Sequence, residues 1–248
     1  MTDNTAPGRQ TCLPGVPGRK GEKMNASNHT IAWGIAPSAL ELGVKFRVAT
    51  VQGVGIRKKS KKLKAFLKSR RGMIKNIDPD SDKRLATYRQ MFKSLDISDV
   101  VSSPEYLIRI VRKNGCLPGI NTLVDAYNQI SAEQRVVASA HDLDKISGPV
   151  VLEIAEHPVE FKPLSNGGDE FIRPGEWFVH DDQHALCRLN CKQSRLSSTN
   201  LDTRDLLVYV QGNAAISNTD LDGALFEICQ TITLFNGGVF HIMPQTKV

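Results

Sequence analysis

The sequence predicts an α+β fold on three observations. Helical periodicities cluster between residues 57 and 129, strand-like runs dominate beyond Val136, and the two kinds of pattern do not alternate. Helices grouped ahead of strands point to separate helical and sheet layers rather than a doubly wound parallel sheet. With 248 residues, 40% of them apolar and 23% charged, the chain is long enough to bury one large core.

Taken in order, residues 1–30 are rich in Pro, Gly, Asn, Thr and Lys and lack apolar periodicity, which predicts a disordered leader before a single domain over 31–248. Residues 44–51 alternate apolar and polar side chains ahead of Gly53 and Gly55, as a half-buried strand with a turn does. Residues 57–71 hold nine basic side chains and no acid: Arg57, Lys58, Lys59, Lys61, Lys62, Lys64, Lys68, Arg70 and Arg71. Their helix-forming composition predicts a short basic helix. Like charges at helical spacing repel by about 0.2–0.5 kcal/mol per pair, so the cluster favours a polyanionic partner, and counterion release rewards it against RNA backbone. A solvated helix face carries the same pattern.

Three further helices are expected over 82–95, 103–114 and 120–129. In the second, Ser103 and Pro104 suit the start, Tyr106, Leu107, Ile110 and Val111 form a stripe, and Gly115 ends it. Strands are expected over 150–155, 159–163, 177–180, 184–191 and 206–211, then a helix over 219–235 and a closing edge strand over 239–243.

The formal net charge of +6 permits a polyanionic partner without requiring one. No apolar run approaches the roughly 18 residues of a membrane span, and no secretory core precedes the domain, which predicts a cytoplasmic protein. The five cysteines form no Cys-x-x-Cys pair and read as reduced thiols. There is no phosphate loop, no dinucleotide fingerprint and no Gly-x-Ser-x-Gly elbow, so no cofactor is expected.

His180, His184, Cys187 and Cys191 lie within twelve residues, yet strand geometry separates residues four apart by about 13 Å, too far to share one zinc ion. No metal is expected, and the cysteines fit an apolar core. Arg188 and Asn190 fall on the opposite face, where they line a binding pocket or, equally, form an internal ion pair with Asp202 or Asp205. Over 206–211, Leu206, Val208 and Val210 read as core, leaving Tyr209 to face that pocket. Asp142 and Asp144, in the step His141-Asp142-Leu143-Asp144, are candidate acids or bases, although turn carboxylates are more often caps.

Read together, Ser103-Pro104-Glu105-Tyr106-Leu107, then Leu117-Pro118-Gly119-Ile120-Asn121-Thr122-Leu123-Val124-Asp125-Ala126-Tyr127-Asn128, then Asp142-Leu143-Asp144-Lys145-Ile146-Ser147-Gly148 resemble the editing, tRNA-binding (B3/B4-type) domain of phenylalanyl-tRNA synthetase beta subunits. Pro174-Gly175-Glu176, Asp181, Leu186-Cys187-Arg188-Leu189-Asn190 and Asp202-Thr203 resemble its stand-alone relatives more closely. The likeness covers about residues 102–211, and Tyr88-Arg89 and Phe92 extend it. It implies a layered sandwich of mixed and antiparallel sheets with flanking helices. It also implies a trans-acting aminoacyl-tRNA deacylase, with aminoacylated tRNA as partner, no DNA and no membrane.

The chain departs from the synthetase at three positions. Ser139 stands where the synthetase has a histidine, Tyr209 where it has a glutamate, and Gln193 where it has a small glycine. The resemblance therefore places Ser139, Asp142, Arg188, Asn190, Gln193 and Tyr209 around a pocket for a polar amino acid, canavanine on arginine tRNA being one candidate. The replaced positions equally suit a non-catalytic tRNA-binding or regulatory module. An editing site answers a physical limit, because binding alone separates amino acids differing by one methylene only about 10–200-fold.

Overall fold

The structure, a computed structural model, describes residues 30–97, 100–165, 168–189 and 192–246. The expected leader therefore lies, apart from Thr30, outside the described residues, as do Asn190 and Cys191. The chain runs β1 (Trp33–Ile35), α1 (Pro37–Glu41), β2 (Lys45–Gln52), α2 (Lys61–Lys75), α3 (Lys83–Ser94), α4 (Ser103–Asn114) and α5 (Thr122–Gln134). The second half runs β3 (Val137–Asp142), β4 (Val150–Ile154), β5 (Val159–Phe161), β6 (Glu170–Ile172), β7 (Trp177–His180), β8 (Ala185–Arg188), β9 (Lys192–Gln193), β10 (Leu206–Gly212), α6 (Asn218–Asn236) and β11 (Val239–Ile242). This is the α+β arrangement expected from the sequence.

Two sheets carry the core. A mixed sheet has the order β1-β4-β7-β8-β9, with β1 parallel to β4, and an antiparallel sheet has the order β11-β2-β10-β3. Strand β10 is buried along its whole length because both its faces are covered. Leu206, Val208 and Val210 face the α5–α6 layer, and Leu221 of α6 lies over Gly212. Leu207, Tyr209 and Gln211 face the mixed sheet, where Trp177 Nε1 donates to Gln211 Oε1 at 3.1 Å. Trp33 meets Phe46 edge to face and Phe46 meets Tyr209 at a tilt between the sheets, with ring centroids 5.6 and 5.1 Å apart. Phe92 of α3 stacks on Trp177, and the Tyr88 hydroxyl donates to the Gln211 carbonyl, which fixes α3 to the same layer. Each such buried aromatic contributes on the order of 1.5–3 kcal/mol through area removed from water.

The local chemistry sets the boundaries. The basic helix spans 61–75 rather than 57–71, because Ser60 caps it by accepting from the Leu63 N–H. Helix α5 starts behind Asn121, whose side chain accepts from the Leu123 and Val124 N–H groups, and runs five residues past the expected Gln129 to end on left-handed Arg135. Strand β3 was not expected. Its small Ala138, Ser139 and Ala140 carry little strand preference, and its polar face turns inward. Strand β8 ends at Arg188, short of the expected 191, where Leu189 turns to a φ of 53°. Among the described residues no helix is long and apolar enough to cross a membrane, and no group of three His, Cys, Asp or Glu is placed to hold a metal ion.

Candidate functional site

Antiparallel register brings the candidate polar residues of β3 and β10 to one face. Ser139 pairs with Tyr209, and His141 with Leu207, all facing the mixed sheet. The His141 ring is fully buried, with Nδ1 2.8 Å from Ser197 Oγ and Nε2 3.0 Å from the Tyr209 hydroxyl. Burial pushes the imidazole down to about 3, with the charge of His184 adding to this and Asp181 opposing it. The ring is thus neutral, donating from one nitrogen and accepting at the other. Burial likewise raises the Tyr209 phenol well above its ordinary value. The pair ties β3 to β10 within the antiparallel sheet, and Ser197 ties the loop after β9 to it.

Beside this pair, Gln193 Nε2 donates to Ser139 Oγ at 2.6 Å. Gln193 also lines an open cleft of about 390 Å³ with Pro163, Leu164, Ser165 and Lys192. Asp142 is buried, accepting from Thr203 Oγ1 at 2.8 Å and lying 3.4 Å from Lys145 Nζ. It anchors the turn after β3, whereas Asp144 is exposed. Ser139, Gln193 and Tyr209 therefore come together, with Asp142 joined to them through the 197–203 loop, whose Ser197 carbonyl accepts from the Asp142 N–H.

Arg188 does not join them. Cys187 pairs with Gln193 and both face the antiparallel sheet, so their neighbours Arg188 and Lys192, also paired, face away. Arg188 donates two bonds of 2.8 Å to the Glu176 carboxylate and one of 2.8 Å to Glu170. The expected internal ion pair is therefore present with Glu170 and Glu176 instead of Asp202 or Asp205. Asp205 accepts from the Gly53 N–H. Burial pushes the Glu176 carboxyl up, but the guanidinium of Arg188 and the backbone and side chain of Arg173 outweigh it and hold it below the ordinary value. Tyr209, expected at a pocket wall, is enclosed on both sides. Cys187 is buried, as a core cysteine should be.

The basic segment divides by role. Arg70 donates to Glu133 and Glu227 and lies 5.3 Å over the Phe66 ring, and Arg57 donates to the Phe235 carbonyl. Both hold helices together. Lys58, Lys59, Lys61, Lys62, Lys64 and Lys68 are exposed, and Arg71 is half-buried. Sequence reasoning missed His141 and Ser197 as site residues. The inward alternation of Ser139 and His141 was the available signal.

The B3/4 domain family matches residues 88–222, more than half of the chain. The phenylalanine–tRNA ligase beta subunit of Fusobacterium nucleatum subsp. nucleatum is 26% identical over 138 residues, covering 56% of this chain and 17% of that subunit. An N-terminal fragment of the phenylalanyl-tRNA synthetase beta subunit from Pyrococcus horikoshii aligns with 91% of this chain and 53% of its own, at a TM-score of 0.48 and 15% identity. The chain thus spans under a fifth of the ligase subunit and about half of the fragment. The family match begins at Tyr88, the residue whose hydroxyl ties α3 to β10, and runs through β10 into α6, so it includes Ser139, Asp142, Arg188, Gln193 and Tyr209. On that match the chain belongs to the B3/4 domain family.

Proposed function

We propose that this protein acts on aminoacylated tRNA as a deacylase. The exposed lysines before and along α2 hold the RNA backbone, and the cleft at Gln193 receives the aminoacyl end. The observation that carries the reading is an open cleft lined by Gln193, itself bonded to buried Ser139, inside a B3/4 domain. An aminoacyl ester is already activated, so hydrolysis needs little beyond position and polarity. Water adds to the ester carbonyl, the carbon–oxygen bond to the ribose breaks, and the ribose hydroxyl departs with a proton. Gln193, held by Ser139, offers the cleft an amide suited to a polar amino acid, canavanine on arginine tRNA being one candidate.

The test is release of amino acid from a panel of mischarged tRNAs by the purified chain, with canavanyl-arginine-tRNA and tyrosyl-phenylalanine-tRNA as the first pair. Turnover above the spontaneous rate for a polar charge supports the reading, and no turnover on any ester overturns it. One observation favours a second reading, a non-catalytic tRNA-binding module. His141 and Tyr209, the groups best suited to proton transfer, are buried and bonded to each other. That reading predicts salt-sensitive tRNA binding without hydrolysis.

A further inference from the structure

A cavity of about 370 Å³ opens between α2, α4 and the start of α5, in the helical layer. Leu63, Leu67 and Val111 give it an apolar floor, and Lys64, Lys68 and Arg71 give it a cationic rim. None of these three cations has an ion pair or hydrogen bond among the described residues, whereas Arg70 beside them is fully engaged. Helix α2 precedes the residues matched by the B3/4 family, so the cavity joins a segment outside the match to two helices inside it.

Two polar side chains reach the floor. Gln129 Nε2 donates to Glu133 Oε1 at 2.6 Å, and its oxygen, with no hydrogen bond among the described residues, is open to solvent. The Asp125 carboxylate accepts from the Ile120 N–H at 2.8 Å, and burial raises its pKa, easing it toward its neutral form. An apolar slot ending in an amide oxygen and a carboxyl fits the hydrogen-bonding edge of a heterocyclic base, and the rim fits its phosphate. An aliphatic anion would leave these two polar groups unmatched.

We infer that this cavity is a nucleotide-binding site, with the base in the Leu63–Leu67–Val111 slot and the phosphate on Lys64, Lys68 and Arg71. The source is an unpaired nucleotide of the bound RNA or a free mononucleotide. The RNA source rests on the function proposed above.

Calorimetric titration of the full chain with the four nucleoside 5′-monophosphates, beside filter binding of tRNA, tests it. At least one monophosphate should bind, and its nucleoside should bind at least about ten-fold more weakly, a difference of about 1.4 kcal/mol. Leu67→Trp, which fills the slot, should abolish mononucleotide binding and weaken tRNA binding. Leu117→Trp fills it from the opposite wall if the first variant loses its thermal transition by circular dichroism. Mononucleotide binding indifferent to both tryptophans overturns the inference. So does tRNA binding that Lys64→Glu with Lys68→Glu weakens while the tryptophans do not, an outcome that leaves the backbone-binding role of α2 standing. Mononucleotide binding with no tRNA binding supports the site, assigns it to the free ligand and removes the RNA reading instead.

Discussion

The guanidinium of Arg188 is held by two carboxylates that differ in burial, Glu176 with a side chain 2% exposed and Glu170 at 27%. Removing one partner of a buried ion pair leaves an uncompensated charge, whereas an exposed partner is replaced by water. Glu176→Gln should therefore lower stability by about 2–4 kcal/mol in urea unfolding, and Glu170→Gln by clearly less. Equal losses would show that the bidentate pair adds nothing beyond surface charge. The identity of Arg188 as a polar group on a covered strand was legible in the sequence, because a fixed cation on an otherwise apolar face demands a partner. Which carboxylates meet it was not, since that depends on β6 and the 173–176 turn folding across β8, a long-range packing outcome with no local signature.

Helix α2 shows the same limit at the scale of an element. Its composition announces a helix and a charged face, but not its start, which the structure moves from Arg57 to Ser60 through the capping bond to Leu63. Composition does not separate Arg70, which ties α2 to α5 and α6 through Glu133 and Glu227, from Lys68, which is exposed. The separation comes from the packing of three helices. Arg70→Ala should cost about 2 kcal/mol of stability, because the Glu133 side chain, 2% exposed, loses its cation. Lys68→Ala should leave the urea midpoint unchanged and lower the salt dependence of tRNA binding by about one counterion. A destabilised Lys68 variant, or an Arg70 variant of full stability, would reverse this division of labour. Strand β3, like β1, α1, β6 and β9, has no counterpart among the elements expected from the sequence. Alternation was present at Val137, Ser139 and His141, but the alternating side chains are small or polar and face a second sheet, so no apolar stripe marked the buried side.

Across the whole molecule, the two sheets are joined by aromatic contacts and the Trp177–Gln211 bond, while a neutral imidazole inside the antiparallel sheet makes the fold sensitive to acid. His141 is bonded between Ser197 and Tyr209, and its pKa falls from an ordinary 6.5 to about 3 in the folded state. A histidine whose native pKa is depressed stabilises the fold fully above the unfolded value, and that contribution is lost progressively as pH falls from 6.5 toward 3, because the unfolded chain takes up the proton first. The limiting slope for one such group is about 1.4 kcal/mol per pH unit. Glu176, with a native pKa held below the ordinary 4.5, adds its own loss only as the pH passes under 4.5. Acid unfolding should thus begin with His141 and steepen with Glu176. His141→Gln removes the first titration while keeping groups able to donate and accept between Ser197 and Tyr209. Its urea midpoint at pH 7 should be lower than that of the parent, yet constant between pH 6.5 and 5, where the parent's declines. A decline of equal slope in both proteins would place the acid sensitivity outside the imidazole that ties β3 to β10 and the Ser197 loop.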